Sequence, residues 1–352
     1  MNIDPVRLRG IGKIVGRRLA VLPIALLAVA TIAFFLIHLM PGDPAIAIAG
    51  EFANDEDIQK VRERLNLHRS DVDQYRMYIA GILRGDLGRE FYTGLSVAGS
   101  IRRTLPNSAE LVLAGLLIAG VIGVSLGTVA SILRRRPGDR VARFVLTVTQ
   151  SIPDFLLALI LIYWLYTVFE FAPSPLGRIG VDTSAIAGRE GSFLLLGSVF
   201  RGEWVLTRQL IGHMFMPAFT VGVVYSAYLG RVTRAALAPA LDSPHVEFAR
   251  ACGLRPLTVL RYAWSEARTP AITYFAILFG ALIGGVTIIE TIFAWGGFGQ
   301  WGLQAILALD IPAIQGFVLV TGTITLLVYL ALDVLILILD PRVVYGGQGG
   351  TN

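Results

Sequence analysis

The sequence predicts an all-α membrane protein with several transmembrane helices. Apolar residues make up 55% of the 352 positions and charged residues only 16%, and the mean hydropathy is +0.67. Soluble domains carry about a quarter charged residues, so this composition indicates a chain that is solvated by lipid. A transmembrane helix needs about 20 apolar residues. Six stretches meet that requirement, at approximately 19–40, 108–133, 144–169, 210–230, 270–293 and 314–339.

The first apolar stretch is interpreted as a retained helix and not as a signal peptide. Basic residues precede it, as they do in signal peptides, but its apolar region is longer than the usual 7–15 residues. No small-residue cleavage pattern follows it. Six spans then place both termini on the same side of the membrane.

Basic residues decide which side is cytoplasmic. The connections on one face carry seventeen basic residues, whereas the opposite face carries nine in the long 41–107 loop and four in the 170–209 connection. The positive-inside rule assigns the richer face to the cytoplasm, and long loops translocate largely regardless of charge. The seventeen are Arg7, Arg9, Lys13, Arg17, Arg18, Arg134, Arg135, Arg136, Arg140, Arg143, Arg231, Arg234, Arg250, Arg255, Arg261, Arg268 and Arg342.

The 41–107 loop is expected to form a small folded cap on the extracytoplasmic face. It opens with the turn cluster Pro41-Gly42-Asp43-Pro44, which cannot continue a helix. Helical spacing follows at 55–83, with apolar residues on one face. Residues 192–200 are apolar but too short to span, so they are expected at the outer interface or on that cap.

Residues 243–270, the basic island, form a short helix-competent segment between two apolar runs. Ser243 is a favourable N-cap, Pro244 suits the first turn, and Gly253 can close the helix in a left-handed conformation. The predicted helix covers 244–253 and is far too short to cross a bilayer. Taken alone, it is equally consistent with an ordinary amphipathic surface helix.

Several motifs in order resemble the oligopeptide and dipeptide (and nickel) family of ABC importer permeases, B-type subunit. The spacing Glu247-x-Ala249-x-x-x-Gly253 resembles the E-A-A-x-x-x-G signature of binding-protein-dependent importers. Departures from the family pattern are Phe248, Cys252 and a longer segment at 184–210. The other matching motifs are H-L-M-P-G-D-P at 38–44, G-D-L-G at 85–88, L-P at 105–106, S-I-P-D-F at 151–155, V-T-I-I-E-T-I-F-A-W at 286–295, D-I-P-A-I-Q-G at 310–316 and L-D-P-R at 339–342.

The resemblance implies a type I permease fold of six transmembrane helices in a bacterial plasma membrane. Residues 1–107 would hold the first helix and the cap, 108–340 the permease domain, and 341–352 a short cytoplasmic tail. It also implies three kinds of partner: a homologous second permease subunit, two ATPase subunits or domains, and an extracytoplasmic substrate-binding protein that makes most of the selection. The residues that would couple to the ATPase are Glu247, Phe248, Ala249, Arg250 and Gly253.

No ATP-binding loop, catalytic centre or metal site is evident in the sequence. A phosphate-binding loop requires G-x-x-x-x-G-K-[ST], and neither lysine lies in that pattern. ATP and Mg²⁺ would therefore be bound by partner ATPase subunits, and this chain would be non-catalytic. The four histidines are scattered, and Cys252 is the single cysteine. Because the basic residues flank apolar runs, they indicate membrane topology and not a nucleic-acid partner.

Three acidic residues in apolar surroundings are candidates for a role in the pathway or in helix packing. Asp154, Glu290 and Asp333 are expensive in hydrocarbon and by default mark a path or a paired interior site. For Glu290 and Asp333 the packing interpretation is favoured over direct contact with substrate.

Three alternatives remain open at this level. The same class of importer can carry a non-peptide solute such as nickel or an opine. A secondary transporter would show inverted repeats and functional charges at mid-membrane, and no convincing internal repeat is present. A membrane scaffold protein would explain the basic island without transport.

Overall fold

The computed structural model describes residues 5–38, 45–46, 54–64, 68–134, 136–179 and 192–339. Within these ranges the chain is helical, with one isolated bridge between Arg89 and Ser96 and no strand. The elements are α1 (Pro5–His38), α2 (Asp55–Arg64), α3 (Asp71–Leu83), α4 (Val97–Ile132), α5 (Pro137–Ser151), α6 (Asp154–Leu161), the π-helix π1 (Ile162–Val168), α7 (Leu194–Phe200), α8 (Trp204–Ala240), α9 (Pro244–Ala251), α10 (Pro256–Gly285), α11 (Thr287–Ile292), α12 (Phe298–Leu307) and α13 (Ile311–Leu339).

Four helices of the described chain are long and apolar enough to cross a membrane as single elements, namely α4, α8, α10 and α13. The pair formed by α5 with α6 and π1 meets the same test together, but it is bent by 91°. In α1 the apolar segment Leu19–Phe35 falls just below the length of a span. The total of six spans therefore stays a prediction, while the polytopic helical architecture is confirmed.

Two of the expected spans differ from the sequence prediction. The third, expected as one helix at 144–169, is broken because Pro153 disfavours helical backbone at Ile152, which is extended at φ −77° and ψ 120°. The fifth, expected to reach residue 293, ends at Gly285, and 287–292 form the separate helix α11.

The centre of the bundle is the parallel pair α4 and α8. A Cβ atom on Gly123 would lie 2.5 Å from the Ser226 carbonyl oxygen, and one on Gly127 would lie 2.5 Å from that of Gly230. Glycine therefore permits a close backbone approach at this crossing. The Ala119-x-x-x-Gly123-x-x-x-Gly127 row thus serves packing within the chain.

The second row of small residues also packs within the chain. Gly280 and Gly284 of α10 face Val328 and Thr321 of α13, respectively. The antiparallel crossing of α10 and α13 therefore uses this row.

The region expected to form a cap contributes α2, α3 and the turns up to residue 96. On α3, the Tyr75 hydroxyl lies 2.7 Å from Thr31 Oγ1 of α1, and the Tyr75 and Tyr78 rings pack on Phe34. At its other end, Gly88 of the G-D-L-G motif lies beside Pro312 of the D-I-P motif, since a Cβ atom on Gly88 would be 3.4 Å from Pro312 Cβ. The Pro41–Pro44 turn cluster and most of the loop around it lie outside the described residues.

The two ends of the bundle carry different connections. The outer end, which the charge distribution predicts to be extracytoplasmic, holds residues 85–96, 169–179, 192–203 and 286–310. The inner end holds residues 133–134, 136 and 241–255. At the outer end, α7 packs against α8 through Leu194, Leu206 and Leu210.

Candidate functional site

The island helix α9 begins at Pro244, as predicted, but its N-cap differs from the expectation. Ser243 has the extended backbone of an N-cap at φ −71° and ψ 147°, yet its side chain does not cap the helix. Instead, Ser243 Oγ donates a hydrogen bond of 2.6 Å to the Ala240 carbonyl. The side chain therefore ties the turn back to the end of α8.

Gly253 closes the helix in the left-handed conformation that was predicted, with φ +73°. Its N–H donates to the Arg250 carbonyl at 3.0 Å, and the Leu254 N–H donates to the Ala249 carbonyl at 3.3 Å. These two bonds form a Schellman motif. The helix itself ends at Ala251, two residues before the predicted limit, because the motif occupies residues 252–254.

The two faces of α9 have opposite environments. Val246 and Ala249 are buried against the end of α8 and the start of α10, in a cluster with Leu237, Val259 and Ala263. The resemblance had assigned Ala249 to the contact with the ATPase. The structure turns Ala249 inward because it shares a helix face with Val246, three residues earlier.

The outward face of α9 carries Glu247, Phe248 and Arg250. The Phe248 ring is 72% exposed. Leu257, at the start of α10, is a second large apolar side chain at this end and is 80% exposed. Sequence reasoning missed Leu257, although its position just after the Arg255-Pro256 helix start was a usable signal. We call Phe248, Leu254 and Leu257, with the charged Glu247 and Arg250, the island surface.

Ion pairs hold the inner end around the island. Arg134 at the end of α4 pairs with Asp242 just before α9. Asp139 of α5 is buried and pairs with Arg234 of α8 at 2.9 Å and with Arg143 at 3.3 Å. Arginines that indicated topology in the sequence thus also fix the helices that support α9.

A buried polar network, the outer clasp, joins separate segments at the outer end. Glu110 of α4 pairs with Arg178 of the segment after π1, and both side chains are almost fully buried. Arg178 also donates to Asn107 Oδ1 and lies over the Trp295 ring, 5.7 Å from its centre. Trp295 Nε1 donates to the Asn107 carbonyl at 3.0 Å.

The clasp also holds α7. The other carboxylate oxygen of Glu110 accepts the N–H of Leu195 at 2.8 Å and that of Leu196 at 3.3 Å. Sequence reasoning missed Arg178, because nothing local indicates a partner that lies sixty-eight positions away.

Glu290 is fully buried and its carboxylate is occupied by hydrogen bonds. Ser108 Oγ donates to Oε1, and the Gln300 N–H donates to Oε2 at 2.8 Å. Ser108 Oγ in turn accepts the Phe298 N–H at 2.6 Å. The carboxyl group therefore lies at the N-terminus of α12, where the helix dipole favours a negative charge.

Asp310 has a similar structural place at the start of α13. Its carboxylate accepts the Phe91 N–H at 2.7 Å and the Ala313 N–H at 3.2 Å. Burial raises the pKa of the Asp310 carboxyl above its ordinary value, although both hydrogen bonds act to lower it. This contact fixes the 85–96 turns to the last helix.

The remaining sequence candidates lie on other elements. Asp154 is half-buried in the first turn of α6, where it accepts the N–H of Phe155 at 2.8 Å. Asp333 is half-buried within α13. Of the three acids, Glu290 is the fully buried one, and its hydrogen-bond donors come from the separate elements α4 and α12.

Comparisons with known proteins give consistent matches over nearly the whole chain. Residues 119–345 match the family described as "Binding-protein-dependent transport system inner membrane component". Residues 11–111 match the N-terminal family of the same membrane components.

Individual relatives agree with the family matches. The probable D,D-dipeptide transport system permease protein DdpB of Escherichia coli is 34% identical over 92% of this chain and 94% of its own length. The dipeptide transport system permease protein DppB of Alkalihalophilus pseudofirmus is 31% identical over 94% of this chain and 98% of its own length. A solved MetNI methionine ABC transporter aligns at a TM-score of 0.48 and 17% identity over 68% of this chain and 95% of that chain, a likeness too weak to carry an argument.

The family matches and the relatives cover both the apolar spans and the basic island. The chain therefore belongs to the family of inner membrane permease components of binding-protein-dependent ABC transport systems.

Proposed function

We propose that this permease imports peptides across a bacterial plasma membrane in an ATP-driven complex. The named function of relatives that align over more than nine-tenths of this chain supports a peptide substrate. The distribution of basic residues supports a multi-pass arrangement with both termini in the cytoplasm.

The complex contains, besides this chain, a homologous second permease, two ATPase subunits or domains that bind ATP and Mg²⁺, and an extracytoplasmic binding protein. The observation that carries this proposal is the island surface. Phe248 and Leu257 are large apolar side chains that project from a polar end of the molecule. An exposed apolar patch with a charged rim is typical of a protein interaction site.

The roles within the island follow from its two faces. Phe248 inserts into the ATPase groove, while Glu247 and Arg250 form polar contacts at its rim. Gly253 ends the helix and sets its angle. Val246 and Ala249 do not touch the ATPase but connect α9 to the ends of α8 and α10.

Transport then follows from movement of α9 with its supporting helices. Because Val246 and Ala249 lie in one cluster with both flanking spans, a push on α9 moves α8 and α10 together. Closure of the ATPases switches these spans between two arrangements, one open inward and one open outward.

Coexpression with the candidate partner subunits tests the proposal. The purified complex in liposomes should accumulate a labelled dipeptide only when ATP and the binding protein are present. ATP-dependent uptake of nickel or another solute without uptake of peptides would overturn the proposal that the substrate is a peptide. If no ATPase subunit copurifies with the chain, the proposal that it belongs to an ATP-driven importer is overturned.

Accessibility labelling tests the orientation on which the island argument depends. A cysteine near residue 138 should react only from the cytoplasmic side and one near residue 70 only from outside. The reverse pattern would place the island on the wrong face for an ATPase.

A further inference from the structure

The helix α5 is almost perpendicular to the helical segment that follows it. The two are bent by 91° at Ile152 and Pro153, whose backbones are both extended. Two arms at a right angle cannot both run along the membrane normal, so if one arm spans the bilayer, the other lies in its plane. The contacts of α5 with the long transmembrane helix α8 show which arm is which.

These contacts show that α5 advances little along α8. Near the start of α5, Asp139 pairs with Arg234 at 2.9 Å. Seven residues later Leu146 packs on Gly230, where a Cβ atom would lie 2.8 Å from Leu146 Cδ2. Seven residues of α-helix are about 10 Å long, whereas positions 230 and 234 are about 6 Å apart along α8. The helix α5 therefore crosses α8 obliquely and does not run beside it.

The crossing lies at the cytoplasmic border of the membrane. The apolar run of α8 that is expected to span the bilayer is 210–230, and the charged residues Arg231 and Arg234 follow it. Arg231 Nη2 donates to Thr147 Oγ1 at 3.4 Å, so the second half of α5 is still beside these arginines. Charged side chains are expensive in hydrocarbon and collect at its border. Both halves of α5 thus contact α8 at this border.

The other arm is long enough to span the bilayer without α5. It contains the 8 residues of α6 and the 7 residues of π1. Together with the two extended residues before them, these reach about 25–30 Å, close to the thickness of the hydrocarbon core. Beyond π1 the chain is tied to the outer end, where the Gly177 N–H donates to the Phe293 carbonyl at 2.9 Å. This arm therefore runs from the cytoplasmic border to the outer end.

One face of α5 is apolar and is not covered by the rest of the chain. Its four exposed apolar residues follow the i, i+3, i+4, i+7 spacing of a single helix face, namely Val141, Phe144, Val145 and Val148. Leu146 is buried on the opposite face, against α8. A helix in the plane of the membrane places such an apolar face at the boundary between headgroups and acyl chains.

Arginine residues flank this apolar face. Arg140 and Arg143 lie on α5, Arg136 precedes its first turn, and all three are exposed. The one acid of α5, Asp139, is buried and is paired with Arg234 and Arg143. No ion pair within the described part of the chain includes Arg136 or Arg140. The flank is therefore positively charged and complements the anionic phospholipids of a cytoplasmic leaflet.

We propose that α5 is an interfacial helix that binds the cytoplasmic leaflet, with its apolar face at the acyl-chain border and Arg136 and Arg140 on anionic phospholipid headgroups. The proposal goes beyond peptide import, because it holds for whatever solute the permease carries. Through the ion pair of Asp139 with Arg234, the leaflet then fixes the depth of α8, whose end packs against the island helix α9.

Depth measurements in a bilayer test the placement of α5. Spin labels are attached to single cysteines in a Cys252→Ser background, in the full chain coexpressed with its candidate partner subunits and held in nanodiscs of phosphatidylethanolamine and phosphatidylglycerol. Val141→Cys and Val148→Cys, seven residues apart on one face, should report depths within about 4 Å of each other, although about 10 Å of helix separates them. Leu156→Cys and Tyr163→Cys, seven residues apart on the other arm, are the matched pair and should differ by about 10 Å.

Quenching by labelled lipids tests the contact with headgroups. A fluorophore on Phe144→Cys is exposed in turn to doxyl-labelled phosphatidylglycerol and doxyl-labelled phosphatidylcholine. The anionic lipid should quench at least about twofold more strongly, because clustered arginines concentrate anionic lipid. Arg136→Gln with Arg140→Gln should bring the ratio close to one. Arg84→Gln with Arg102→Gln removes the same charge from exposed positions far from α5 and should leave the ratio unchanged.

Three results would overturn the proposal. Depths that differ by about 10 Å between positions 141 and 148 would make α5 part of a transmembrane span. Labels there that neither oxygen nor a soluble nickel complex reaches would show that a protein partner covers the apolar face. A quenching ratio that is the same with and without Arg136 and Arg140 would remove the headgroup contact. None of these measurements requires transport, so their failure is distinct from a failure of peptide import.

Discussion

The outer and inner ends of this permease differ in which side chains they bury and which they expose. At the outer end, Glu110, Arg178 and Glu290 are buried and bonded to partners within the chain. At the inner end, Phe248 and Leu257 are exposed although they are apolar. The outer end therefore contains a polar network whose charges are paired within one chain, whereas the island surface at the inner end gains stability from a partner. Substitutions at the two ends should separate stability from association.

The largest expected effect on stability is at the outer clasp. Arg178→Met leaves Glu110 buried without its cation, which should cost about 3–5 kcal/mol of unfolding free energy. Thermal and SDS-induced unfolding in detergent measure it. The double substitution Glu110→Leu with Arg178→Met should recover most of the loss, since no buried charge is left unpaired.

An exposed ion pair supplies the matched control for the clasp. Lys60 pairs with Glu56 at 2.9 Å on the surface of α2. Lys60→Met should change stability by less than about 1 kcal/mol. Equal losses at Arg178 and Lys60 would contradict the view that the outer end depends on its buried pair.

A smaller loss of stability is expected at Gly297, which packs directly against the Glu290 carboxylate. A Cβ atom on Gly297 would collide with the Glu290 carboxylate. Gly297→Ala should therefore destabilise the chain by about 1–3 kcal/mol, through overpacking of a site that cannot shift. Gly285→Ala is the control, because nothing lies within 4 Å of its Cβ position. A melting temperature that falls equally for both would show that Glu290 is not tightly enclosed.

The smallest effect on stability is expected at Gly253. Its φ of +73° strains any residue with a Cβ by about 1 kcal/mol, but no atom lies within 4 Å to collide with one. Gly253→Leu should therefore remain inserted and folded, yet lose transport and ATPase association because the end of α9 is displaced. Gly253→Asn should lose much less, since asparagine tolerates this conformation. Peptide uptake and copurification of the ATPase are measured for both variants. Equal losses in Gly253→Leu and Gly253→Asn would show that the left-handed backbone at Gly253 is not what coupling requires.

Local patterns in the sequence predicted much of this molecule. Apolar length located α4, α8, α10 and α13, and Gly253 was expected in the left-handed conformation that it adopts. Both depend on short-range physics, namely burial in lipid and the freedom of glycine. The motif order located the basic island and predicted the family.

Long-range contacts could not be predicted in this way. The pairing of Glu110 with Arg178 and the seat of Glu290 among Ser108 and Gln300 depend on how separate elements meet. The burial of Ala249 could have been predicted from its spacing to Val246, three residues earlier on the same helix face. The motif instead placed Ala249 among the residues that couple to the ATPase. The 91° bend was not predicted, although Pro153 lies within the expected span at 144–169.

The same substitution at the two ends tests the central claim most directly. Phe248 and Phe200 are both large exposed rings, at 72% and 85%, but Phe248 lies in the island surface and Phe200 at the outer end. Because both are exposed, neither Phe248→Ala nor Phe200→Ala should alter the melting of the chain in detergent. Phe248→Ala should weaken ATPase binding by at least about thirtyfold, the loss typical of a binding hot spot, while Phe200→Ala should leave it unchanged. Normal ATPase affinity in Phe248→Ala, or equal loss in both variants, would contradict the assignment of the island as the coupling surface.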